Sequence, residues 1–287
     1  MIIANVLVSG LLMGFVYSLL ALGLTVIFGV MDIVNFAHGE FLMIGMYVGY
    51  LATYIYPDPL VGLPFAAMAG FLLGGIVYVL LVRRLLRGPM IAQLFGTFGL
   101  MLFLRYGALF LFGPSLRAVT EGVLIGRRFL VGGVVLDATK LAAAGGNILL
   151  FGIVYFILQK TKLGTALRAT AVNREAARYM GIDTDHMNAL AWGIGGATAG
   201  VAGALLANFY YLSPTIGMVF VMITFATVAL GGFGSIPGAF IAGIIVGLVQ
   251  MLAAQYVTPE LKLAFIYLLY FLVVIVRPQG LLGRKAS

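Results

Sequence analysis

The stretch Met1–Val30, MIIANVLVSGLLMGFVYSLLALGLTVIFGV, contains no charged side chain. Crossing a bilayer takes about 20 predominantly apolar residues in a helix, so this segment is long enough to span. A cleavable leader would begin with a basic n-region. None is present, and we read the segment as a retained first span. The rest of the chain is built in the same way. Of its 287 residues 63% are apolar and 9% charged, with mean hydropathy +1.14. A soluble domain carries about 25% charged residues, so a soluble enzyme is excluded. The expected fold is all-α: one polytopic membrane bundle over 1–287, with about 8–9 transmembrane helices and broken or re-entrant segments.

Hydropathy places candidate spans at 3–30, 38–56, 60–82, 90–113, 141–158, 188–211, 215–231, 236–257 and 262–276. Lys and Arg total 17 against 9 Asp and Glu. Arg83, Arg84, Arg87, Lys160, Lys162, Arg168, Arg174, Arg178, Arg277, Arg284 and Lys285 fall on one set of loops. Arg117, Arg127, Arg128, Lys140 and Lys262 fall on the other. The positive-inside rule puts the larger set in the cytoplasm and the N-terminus outside. Segment 114–140 is then an external loop, either a small hairpin or an interfacial helix. Segment 159–187 is the one sizeable cytoplasmic feature. The positive excess is topogenic: no basic cluster is interleaved with aromatics, so nucleic acid is excluded as a partner. Cysteine is absent, and His38 and His186 have no metal-ligand spacing. No metal or cofactor is expected, and no catalytic residue.

The 39 glycines are about twice the number expected at the usual ~7%. Many small residues recur four apart: Gly10/Gly14, Gly45/Gly49, Gly70/Gly74, Gly196/Gly200 and Ala239/Gly243/Gly247. That spacing puts each set on one helix face, where backbones approach closely.

Three segments depart from plain spans. Asp32-Ile-Val-Asn-Phe-Ala-His-Gly-Glu40 places Asn35, His38, Gly39 and Glu40 between two apolar stretches. Ionisable groups at such a position are expensive. A solvated turn would also accommodate them, but the spacing Asn35/His38/Leu42 favours a helix start facing protein. Leu230-Gly-Gly-Phe-Gly-Ser-Ile-Pro-Gly238 is an uncharged, glycine-rich break, without the lysine a phosphate loop requires. It reads as a tight turn or a broken helix, with Gly231, Gly232, Gly234, Ser235 and Gly238 as pathway candidates. Breaks near 31–40 and 231–238 would form a pair, as in transporters whose two halves are each interrupted. Arg174-Glu-Ala-Ala-Arg-Tyr-Met-Gly-Ile-Asp183 reads as a short amphipathic helix ended by Gly181. Asp183, Thr184 and Asp185 are available to cap the next helix. The stretch Lys160–Arg168 before it faces lipid headgroups or solvent.

Arg105 lies inside the fourth span. The plain reading, which we adopt from sequence, is a long stem that lifts its charge toward the surface. Gln93, Asn208, Gln250 and Thr227 are expected to bond between helices.

Together these segments resemble the inner-membrane permease family of ATP-binding-cassette importers for branched-chain amino acids (LivH type). Gly23-Leu-Thr-Val-Ile-Phe-Gly-Val and Asn35-Phe-Ala-His-Gly are similar to its N-terminal signature. Leu167-Arg-Ala-Thr-Ala with Ala176, Ala177, Gly181 and Ile182 is similar to its coupling segment. Residues 230–238 are similar to its C-terminal glycine motif. The resemblance implies a second homologous permease subunit, two cytoplasmic ATP-binding subunits, a periplasmic substrate-binding protein and a bacterial inner-membrane location. It also implies that Arg174, Glu175, Ala176, Ala177, Gly181, Ile182 and Asp183 contact the ATPases. Urea and short-amide permeases of the same family share the pattern and stand as an alternative. An ion-coupled carrier or channel is disfavoured by the scarcity of ionisable side chains. An intramembrane hydrolase is disfavoured by the absence of a nucleophile motif, despite His38 and Glu40.

Overall fold

The computed structural model describes residues 2–56, 58–120, 122–131 and 134–283. Arg284 and Lys285, counted above with the larger basic set, lie outside the described residues. Eleven helices follow in order: α1 (Ile2–Met31), α2 (His38–Ala52), α3 (Gly62–Leu85), α4 (Met90–Phe112), α5 (Ala138–Lys160), α6 (Lys162–Val172), α7 (Arg174–Tyr179), α8 (Thr184–Leu206), α9 (Ile216–Gly231), α10 (Ile236–Tyr256) and α11 (Lys262–Val276). Helix α3 carries a π-helical turn at Tyr78–Val82. The 114–140 loop resolves as a hairpin: β1 (Arg128–Val131) pairs antiparallel with β2 (Val134–Asp137).

All nine expected spans contain a helix. Seven of the helical segments are long and apolar enough to cross a membrane, α11 together with the 3-10 turn Pro259–Leu261 that leads into it, 18 residues in all. Helices α2 and α9 are not, at 15 and 16 residues, or about 22–24 Å at 1.5 Å per residue. Both are nevertheless deeply buried.

The chain forms two inverted halves of matching design. Each has a long helix, a short one, a second long one and a loosely held fourth: α1–α4, then α8–α11. Between them lie α5–α7 and the hairpin. The packing partners are exchanged: α1 lies on α10, and α8 on α3. The glycine sets explain why. Gly10 and Gly14 meet Gly247 and Gly243; Gly70 and Gly74 meet Gly196 and Trp192; Gly45 meets Gly200. At each, an added Cβ would strike the backbone of the facing helix. Small residues thus let two backbones touch, which in lipid replaces the hydrophobic drive as the source of association.

One end of the bundle is basic, holding Arg83, Arg168 and Arg178 near the ends of α1 and α3 and the start of α8. The hairpin marks the other end.

Candidate functional site at the meeting of two half-helices

Helix α1 runs to Met31 at the basic end, and the chain then turns back into the bundle. Asp32 takes a left-handed φ of 53° and is exposed. Residues 33–37 climb beside α1 without helical bonding. His38 starts α2 level with Leu20: its Nε2 donates to the Leu20 carbonyl at 3.0 Å. Leu20 lies 11 residues before Met31, so α2 begins about 16 Å inside the bundle. Non-helical backbone at such depth must be satisfied by protein. Thr97 of α4 donates to the Val34 carbonyl at 3.0 Å, and Asn35 Oδ1 accepts from Ala37 N–H at 3.0 Å.

The other half repeats this from the opposite end. After α8, residues 207–215 turn back inward. Arg117 holds the segment through paired backbone bonds with Leu212, at 3.0 and 2.7 Å. Helix α9 then starts at Ile216. The two short helices point away from each other, and their first turns touch: a Cβ on Gly39 would fall on the carbonyl of Gly217.

Neither start carries a side-chain cap; the N-cap positions are Ala37 and Thr215. By contrast Thr161, Asn173, Asp183 and Ser235 each accept a backbone N–H at the starts of α6, α7, α8 and α10, all at the basic end. Two helix N-termini therefore face each other mid-bundle, each a positive dipole end.

At this junction Glu40 is fully buried and pairs with Arg105 of α4. Arg105 donates from Nη2 at 2.6 Å and from Nε at 3.1 Å, both to Oε1. The remaining contact of Arg105, from Nη1, is Met218 Sδ at 3.7 Å. Glu40 Oε2, His38 Nδ1 and Asn35 Nδ2 are buried without hydrogen-bond partners. Glu40 also lies in the first turn of α2, where the helix dipole favours an anion. Arg105 is therefore not snorkelling, as the sequence led us to expect. A carboxylate lies within reach across the bundle, and an ion pair satisfies the charge better than a stretched stem.

The glycine-rich break lies elsewhere. Gly29 of α1 approaches Gly234, and the Phe28 ring packs at a tilt against Phe233 with centroids 4.5 Å apart. Nine residues along α1 separate Gly29 from Leu20, or about 14 Å. Residues 232–235 form the turn between α9 and α10. Gly232 and Gly234 adopt φ of 98° and 77°, which side chains resist. Ser235 Oγ accepts from Gly238 N–H at 3.2 Å. Leu281 N–H and Leu282 N–H bond the carbonyls of Leu230 and Gly231 at 2.8 and 3.1 Å. The turn borders a cavity of about 660 Å³ lined by Thr25, Gly29, Arg168, Phe233 and Ser235. The partner of the 32–37 break is thus 207–215, not 231–238.

Residues 159–187 fold into two short helices, where the sequence reading expected one. Thr161 caps α6, and Arg168 Nη1 donates to the Leu158 carbonyl. Asn173 caps α7, and Gly181 ends it at φ 81°. Asp183 Oδ1 accepts from Asp185 N–H and His186 N–H, both at 3.0 Å. The His186 N–H, with smaller help from the Asp185 N–H, holds the Asp183 carboxyl below its ordinary range. Arg83 and Tyr78 of α3 both bond Asp185, at 3.0 and 3.2 Å, which ties this segment to the core. Between α6 and α7 lies an open apolar groove of about 450 Å³, lined by Arg168, Val172, Ala176, Ala177, Met180 and Ile182. Tyr179 and Met180 beside it are 88% and 81% exposed.

Residues 6–274 match the family model described as branched-chain amino acid transport system / permease component. The chain belongs to this family. As a permease of this kind it is a multi-pass membrane protein. It is similar to the high-affinity branched-chain amino acid transport system permease protein LivH of Escherichia coli, 31% identical over 96% of this chain and 94% of that one. It is also similar to the corresponding permease BraD of Pseudomonas aeruginosa, 32% identical over 97% and 95%. The probable branched-chain amino acid transport permease LivH of Methanocaldococcus jannaschii is 29% identical over 92% and 88%. No solved structure matches the chain.

Within this permease the four polar side chains expected to bridge helices divide. Gln250 accepts from Tyr17 of α1 at 2.7 Å. Asn208 and Thr227 instead bond carbonyls one turn back on their own chain, and Gln93 makes no interhelical bond among the described residues. Sequence reasoning missed the 207–215 break and the role of Arg105. The available signals were Pro214, which disfavours helix before it, and one cation and one anion each without a neighbour of opposite sign.

Proposed function

We propose that this chain is the pathway-forming subunit of an ATP-binding-cassette importer for branched-chain amino acids in a bacterial inner membrane. The near full-length likeness to permeases named for branched-chain amino acid transport carries this reading. The chain conducts and does not catalyse; ATP is hydrolysed by two partner subunits in the cytoplasm. A second, homologous permease completes the pathway, and a periplasmic binding protein delivers the solute. Each broken pass, 32–52 and 207–231, counts as one crossing, which gives nine in all, the N-terminus outside and the basic end in the cytoplasm.

In this reading residues 1–287 form one permease domain, with 159–187 as its coupling loop. Arg174, Glu175, Ala176, Ala177, Gly181, Ile182 and Asp183 present α7 and its turn to the ATPases, and the apolar groove beside them receives a partner side chain. Asn35, His38, Gly39 and Glu40 line the middle of the pathway. Gly231, Gly232, Gly234, Ser235 and Gly238 line its cytoplasmic mouth. Two helix ends meeting mid-bundle suit this role, because inverted repeats place transport sites at such junctions.

The test is leucine uptake into proteoliposomes holding the complete complex. Gly181→Pro cannot take the φ of 81° and loses the N–H that bonds the Arg178 carbonyl at 2.9 Å. It should abolish ATP-dependent uptake while the complex still assembles. Normal uptake by that variant contradicts the coupling role, and uptake by this chain alone contradicts the importer reading.

A further inference from the structure

Taking two charges out of water costs several kcal/mol per ion in proteins. An apolar pair of the same volume would join α2 to α4 without that penalty. The Glu40–Arg105 pair is also incomplete. A guanidinium can grip a carboxylate with two parallel bonds, one to each oxygen. Here both bonds converge on Oε1. Oε2 lies against Gly217, buried and without a partner, and Nη1 has only a thioether sulfur. One anionic acceptor and one set of cationic donors therefore stand side by side with capacity unused. The site is reached from the flank between α4 and α9: the Arg105 side chain is 12% exposed and Met218 is 51% exposed.

We propose that Glu40 and Arg105 recognise the zwitterion of the transported amino acid. Glu40 takes the α-ammonium and Arg105 the α-carboxylate, so one internal ion pair is exchanged for two with the solute. In the absence of solute the two side chains neutralise each other, which keeps a net charge out of the bundle. The apolar side chain of the solute lies along Met218 and the start of α9. Urea and simple amides have no opposite charges to exchange and leave the pair closed. This inference rests on the amino-acid reading above and adds which atoms read the solute.

The experiment compares wild type, Glu40→Gln, Arg105→Gln and the double variant in the reconstituted complex with leucine-loaded binding protein. Each single variant strands a buried charge and should lose assembly or uptake. The double variant should regain assembly, read as co-purification of the subunits. Its leucine uptake should stay about 100-fold below wild type, as expected when a buried charge contact is missing. Recovery of uptake to the wild-type rate overturns the proposal and leaves the pair as a helix staple.

A second measurement uses the unaltered permease and decides the matter if the double variant does not assemble. Thermal unfolding is followed with leucine, with 3-methylbutylamine and with 4-methylpentanoate. A rise in unfolding temperature with leucine alone supports the proposal. Equal shifts with all three, or none with leucine, overturn it. Import of urea or acetamide in place of leucine by the wild-type complex overturns the amino-acid reading itself. Leucine import by wild type and double variant alike overturns only the pair.

Discussion

Helices α2 and α9 are the same device used twice and dressed differently. Both begin mid-bundle after a non-helical return, both lack a side-chain cap, and their first turns touch at Gly39 and Gly217. Yet the start of α2 carries Asn35, His38 and Glu40, all fully buried. The start of α9 reads Ile216-Gly-Met-Val and offers backbone and a thioether. Repetition supplies the architecture; its breakdown supplies the chemistry. One half brings the polar groups, and the other brings a glycine small enough for them to sit against.

The two short helices differ most in charge, and the largest effect is expected there. Arg105→Leu leaves the Glu40 carboxylate buried and unpaired, a loss of about 3–5 kcal/mol. Detergent-solubilised protein should show a markedly lowered unfolding temperature, and uptake should vanish. Glycine exchange sharpens the contrast between the halves. Gly39→Ala would press a methyl group into the Gly217 backbone, at about 1–3 kcal/mol. Gly217→Ala meets the Glu40 carboxylate first, and meets the Gly39 carbonyl less closely than Gly39→Ala meets that of Gly217. The first should destabilise more, and the second should disturb uptake more than stability; thermal unfolding and uptake on the same preparations check both. The smallest contrast concerns the caps. Ser235→Ala removes the bond to Gly238 N–H and should cost about 1 kcal/mol. Thr215→Ala should change stability by less than about 0.5 kcal/mol, because Thr215 caps nothing.

The helical segments were legible because lipid demands long apolar runs, and the recurrent glycines marked faces that do meet, such as Gly14 with Gly243. Chain direction inside a break was not legible. Ile33, Val34 and Phe36 keep hydropathy high outside the helices, and Phe209, Tyr210, Tyr211 and Leu212 do the same in the second break. Hydropathy left residues 31–37 between two spans without showing that the chain re-enters the bundle there, and it ran residues 207–211 into the span before them. The ion pair was hidden by 65 residues of separation and by the orientation of α4, which depends on packing. Residues 230–238 attracted attention through glycine content, but those glycines serve a sharp turn and close contacts with Gly283 and Gly29.

Transport through this subunit requires water and solute to reach the junction of α2 and α9. The chain has no cysteine, so a single Met218→Cys provides a probe beside Arg105 without other changes. Its reaction with a charged, membrane-impermeant thiol reagent is measured in the assembled complex. Reaction is expected, at a rate that changes when ATP and leucine-loaded binding protein are added. A rate no greater than that of Ile275→Cys on the exposed face of α11, and unaltered by turnover, would contradict that expectation.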